Sequence, residues 1–149
     1  MNAIWTADQC QAALGRFSWA QTLTPAPAAL QVIRYAADMW LRRWQMTGVT
    51  DACLSTITEL CSNAKHTPDR YFCLTLSCYS THVRIDVRDH SPVVPAIPKV
   101  PDDLPDFDAE NGRGLYITAC HADRLGVNVL TDGKVIWAEV DPLDCPAAV

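Results

Sequence analysis

Hydrophobic and polar positions change period several times along this chain, and each change marks an element. From about Ala28 to Gln45 the apolar residues Leu30, Ile33, Ala37, Trp40, Leu41 and Trp44 return at helical spacing, with Arg34, Asp38, Arg42 and Arg43 elsewhere on the surface. This predicts a long amphipathic helix, stopped at Gly48. A second helix should follow, capped by Thr50 or Asp51 and ended by Pro68. At about 100° per residue, Cys53, Ile57, Leu60, Cys61 and Ala64 form its buried arc, while Glu59, Asn63 and His66 share a separate stripe. The middle of the chain then alternates. Phe72, Leu74, Leu76 and Cys78, then Val83, Ile85 and Val87 against Arg84, Asp86 and Arg88, predict two strands joined through residues 79–82. The second of them delivers Asp89 to the mouth of the sheet.

Three more elements complete the pattern. Leu115, Ile117, Thr118 and Ala119 predict a helix starting near Arg113 and ending near His121. Leu125, Val127 and Val129 then alternate, Thr131 to Lys134 turn the chain, and Val135, Trp137 and Glu139 alternate with Ile136, Ala138 and Val140 in a last strand. At the other end, Arg16 to Leu23 reads as an edge strand carrying Phe17 and Trp19, closed by Pro25 and Pro27, with residues 1–14 an arm or short helix. No internal repeat is present.

Composition narrows the class. With 149 residues, 49% of them apolar, the chain is expected to be one domain over residues 1–149. A net charge of −5 without any dense Lys/Arg cluster argues against a direct nucleic-acid partner. Seven cysteines, odd in number and without a CxxC pair, suit reduced thiols. No basic segment precedes an apolar run at the start and no run of 18 uncharged apolar residues occurs, so a soluble, cytoplasmic protein away from membranes is expected. His66, His82, His90 and His121 lack partners at metal-ligand spacing and are read as core or surface residues. Trp40 and Trp44 read as core, although one of them could line a homodimer or partner surface. Ser91 beside Asp89 and His90 lacks the strained turn of a hydrolase nucleophile.

The candidate chemistry lies in four places. Glu59, followed one turn later by Asn63, offers oxygen ligands for a hard cation such as Mg²⁺ and a carboxylate able to take a proton; a solvated helix face would look the same. Asp89 ends a strand. The stretch after it holds Pro92, Pro95, Pro98, Pro101 and Pro105 among Asp102, Asp103, Asp106, Asp108 and Glu110, an exposed loop that is either a lid or a linker. Gly112 and Gly114, flanking Arg113 where a helix opens, let backbone N–H groups approach an anion such as phosphate, though a simple helix-start turn has the same form.

In this order, Glu59-x3-Asn63, Asp89, a lid, Gly112-Arg113-Gly114-Leu115 and a final hairpin resemble the ATP-binding domain shared by gyrase, heat-shock chaperones, histidine kinases and mismatch-repair ATPases. Within that group the chain looks like the bacterial anti-sigma-factor serine/threonine kinases, over roughly residues 16–141. The resemblance implies an α+β fold, a two-layer sandwich whose mixed, mostly antiparallel sheet is covered on one face by three helices. It implies ATP and Mg²⁺ as cofactors, with Asn63 on the metal and Asp89 accepting from the adenine amino group. Gly112, Arg113 and Gly114 would line the phosphates, with Ser91 and Leu115 bordering the pocket, and residues 92–111 would close as the lid. Glu59 stands at the general base that activates a partner's serine or water. The implied activity is phosphorylation of a small anti-anti-sigma-type protein, alternating with capture of a sigma factor in transcription regulation. A non-catalytic, nucleotide-gated protein-binding module is the alternative. Three departures stand out: Ser91-Pro92 replaces the glycine after Asp89, Val135 replaces a hydroxyl-bearing residue near adenine, and Lys99 is the lone basic group of the lid before Gly112.

Overall fold

The computed structural model describes residues 13–22, 28–67, 69–105 and 113–142. Five strands, β1 (Gly15–Thr22), β2 (Tyr71–Cys78), β3 (Val83–Asp89), β4 (Arg124–Leu130) and β5 (Gly133–Val140), and three helices, α1 (Ala28–Arg43), α2 (Thr50–Ser62) and α3 (Arg113–His121), make an α+β sandwich. The sheet order is β1-β2-β3-β5-β4.

Each described pairing is antiparallel, where a mixed sheet was expected. The reason is the position of β5. Strands β3 and β4 run in the same direction, as a crossover through α3 requires, but β5 folds back from β4 and inserts between them. The parallel relation therefore exists without a parallel ladder.

Alternation decides which side of the sheet is covered. Phe72, Leu74 and Leu76 of β2, Val83, Ile85 and Val87 of β3 and Ile136, Ala138 and Val140 of β5 all point to the helices, and every one is buried. Facing them are Ile33, Ala37 and Leu41 of α1, Leu115 of α3, and the arc Cys53, Ile57, Leu60 and Cys61 of α2, with Ala64 just beyond. Helix α2 touches both of its neighbours and sits over the centre of the sheet. Phe17 of the edge strand stacks on Trp40 at 5.9 Å, and Trp40 meets Trp44 at 5.7 Å, so both tryptophans close the core at the β1 edge. The opposite face is polar: Arg84 pairs with Asp86 and lies over the Trp137 ring, and Arg124 reaches Glu139. His82, at the β2–β3 turn, is buried against Tyr79 and approaches Glu139 to 3.0 Å without the alignment of a hydrogen bond.

Two helix ends differ from the sequence reading. Helix α1 stops at Arg43, before Gly48, because Gln45 takes the left-handed conformation (φ 59°) that ends the helix; Gly48 lies in a following 3-10 turn, Thr47–Val49. Helix α2 starts directly out of that turn, with Val49 at the cap position and no side-chain cap bond, so neither Thr50 nor Asp51 caps it. Past Ser62 the chain continues as a 3-10 turn over Asn63–His66. The expected arm over residues 1–14 lies almost wholly outside the described residues. Among the described residues, no helix is long and apolar enough to cross a membrane.

Burial also sets thiol chemistry. Burial, assisted by Cys78, pushes the Cys53 thiol up to about 12, and burial raises Cys61 further, whereas Cys120 is exposed on α3. Cys120 is therefore expected to react with iodoacetamide at pH 8 in the folded protein while Cys53 and Cys61 react only on unfolding, as peptide mass spectrometry would read.

Candidate nucleotide-binding site

The candidate residues collect at one end of the sandwich. Strand β3 ends there at Asp89, β5 begins there at Gly133, and the 3-10 turn after α2 leads into β2 at the same end. Since α3 is followed by β4, which enters the sheet from the opposite end, the first turn of α3 also belongs here.

Glu59 and Gly114 meet directly. A Cβ built on Gly114 would stand 2.7 Å from Glu59 Oε2, so the glycine is what lets the α2 carboxylate reach the first turn of α3. An anionic oxygen thus already lies beside a helix N-terminus, where backbone N–H groups and the helix dipole favour it. Glu59 is half-buried and also borders a groove of about 330 Å³ with Arg34, Asp51, Leu54, Ser55 and Thr58. Asn63, half-buried, follows one helical turn later. Among the described residues no three His, Cys, Asp or Glu side chains converge as metal ligands, so a cation at Asn63 would need water or ligand oxygens to complete its shell. Arg113 is exposed at the start of α3. Leu115 is part of the hydrophobic core, 7% exposed. Gly112 lies outside the described residues.

Asp89 is the most enclosed member. Its side chain and that of Lys134 are 5% and 7% exposed, and Lys134 Nζ lies 3.0 Å from each carboxylate oxygen. The Ser91 N–H donates to Asp89 Oδ1 at 2.9 Å, and Ser91 Oγ accepts from Val93 N–H at 3.2 Å. Ser91 and Pro92 therefore form a side-chain-braced turn directly after Asp89. Residues 92–105 run on without regular structure and expose Val93, Val94, Val100 and Leu104; the rest of the expected lid, 106–111, lies outside the described residues. Beside the turn, His90 stacks on Tyr71 and hydrogen-bonds Asp69 at 2.7 Å, which lowers the Asp69 carboxyl below its ordinary range.

Strand register corrects one assignment. Val135 was expected near the base, but it pairs with Arg88 on the polar outer face; the residue opposite Asp89 on the helix-facing side is Lys134. Sequence reasoning missed Lys134 because its partner is 45 residues away. The signal was available in principle: a lysine in the apolar phase of β5 needs a buried anion.

The pair has a stability consequence. Lys134→Met leaves the Asp89 carboxylate enclosed without its cation and is expected to destabilise the fold by about 3–5 kcal/mol, whereas Asp89→Asn combined with Lys134→Met should recover much of that loss. Urea unfolding of the three proteins checks the coupling.

No protein-family model matches this chain, and a search of curated proteins finds no match either.

Proposed function

We propose that this chain is an ATP-binding regulatory domain with the two-layer fold of the gyrase and histidine-kinase ATPases, acting as a serine/threonine protein kinase of the anti-sigma-factor type. The observation that carries the reading is the contact between Glu59 and Gly114 at the first turn of α3, with Asn63 in the 3-10 turn that follows α2 and Asp89 at the same end of the sheet. Mg-ATP, when bound, supplies the phosphoryl group to be transferred. The first turn of α3, from Arg113 through Gly114, would face its phosphates, and Asn63 would hold the metal. Glu59, adjacent to that turn, would take the proton of an incoming hydroxyl. The acceptor in this reading is a serine of a small anti-anti-sigma-type protein, and a sigma factor is the alternative partner.

The test is incubation of the protein with Mg-ATP labelled on the terminal phosphate together with a candidate partner encoded nearby. Label on a partner serine is the expected result. Binding of ATP without transfer or hydrolysis would replace the kinase by a nucleotide-gated binding module.

A further inference from the structure

We infer that Lys134 determines how this site treats the purine ring: it holds Asp89 as an internal partner, so the native chain does not use the 6-amino group of adenine for recognition. The inference rests on the nucleotide-binding reading above and deepens it. It stands on the geometry of the pair and on its enclosure.

Both groups that could donate to Asp89, the Lys134 ammonium and an adenine amino group, need the same acceptor. Oδ1 already receives the Ser91 N–H at 2.9 Å and Lys134 at 3.0 Å, and Oδ2 lies 3.0 Å from the same ammonium. With the pair's side chains only 5% and 7% exposed, little of the carboxylate is open to a second donor while Lys134 holds it. Displacing the lysine would exchange a hydrogen bond charged on both sides for one charged only on the acceptor, and would leave a buried ammonium without its anion. The turn beside the pair is tightly packed. Ser91 is buried and braces Val93, and Gly133 fits so closely under Asp89 that a Cβ there would come within 1.9 Å of the Asp89 carbonyl oxygen. The site therefore recognises a nucleotide mainly through the end of α3 and the α2 polar residues, with the base edge left unread.

Calorimetry at pH 8 with Mg²⁺ tests this, using ATP and purine riboside triphosphate, which lacks the amino group. The native chain is expected to bind the two within about twofold of each other. Lys134→Thr and Lys134→Met, which release Asp89, are expected to bind ATP about tenfold more tightly than the native chain and to prefer it about tenfold over the analogue. A native chain that already prefers ATP by tenfold overturns the inference and leaves the nucleotide reading standing, as do variants that fold and bind ATP no better than native. If neither triphosphate binds the native chain or the folded variants at millimolar concentration, the nucleotide reading itself falls, and this inference with it. Should the variants fail to fold, the ratio measured on the native chain decides alone.

Discussion

Glu59→Gln is expected to leave the affinity for Mg-ATP within about threefold of native while transfer to a partner serine falls by at least ~10²-fold, the range in which a positioned general base contributes to rate. The carboxamide has the shape of the carboxylate, so it still fits against Gly114, where 2.7 Å separates Oε2 from the position a Cβ would take. What it loses is the capacity to accept a proton. Removing a negative charge from the first turn of α3 also gives no reason for phosphate to bind more weakly. Steady-state kinetics separate the roles: a fall in kcat with KM unchanged identifies the base, whereas equal losses in binding and turnover would make Glu59 a residue that only shapes the pocket.

Gly133→Ala is expected to destabilise the fold by about 3 kcal/mol or more, combining backbone strain with overpacking. Its Cβ would lie 1.9 Å from the Asp89 carbonyl oxygen and 2.9 Å from the His90 Cα, and the residue has φ +157°. Both obstacles are backbone, so no rotamer change relieves them. The small entropic gain usual for glycine to alanine, about 0.4–1 kcal/mol, is far outweighed. Urea denaturation of the variant reads the loss; a midpoint equal to native would show that the turn at Asp89 is not held as described.

The sequence revealed the elements wherever one side of an element is buried, because burial imposes its period directly. The α2 arc of Cys53, Ile57, Leu60, Cys61 and Ala64 is buried in full, and the β2–β3 hairpin turns through 79–82 as its alternation required. What escaped was decided by partners distant in the chain. The alternation of β5 was legible, yet which phase faces Asp89 follows from register with β3, and a single strand carries no record of that. The end of α1 escaped for another reason: Gln45 adopts a left-handed conformation that glycine more commonly supplies, so the nearest glycine misled. Of the candidate residues, Glu59 and Asn63 were singled out by helical spacing, while the approach of Glu59 to Gly114 depends on α2 and α3 packing side by side.

The place of β5 in the sheet bears on how the protein is made. It lies between β3 and β4, although among the described strands it leaves the ribosome after both. A nascent chain halted before residue 133 holds β1, β2 and β3 with the edge of β3 that β5 takes left open, and among the described strands β4 lacks its partner. Such an edge invites pairing with other chains. Synthesis thus passes through a stage in which the half-built sheet is open, and a truncation upstream of Gly133 would fix the protein in that stage, with Asp89 already displayed and its lysine not yet translated.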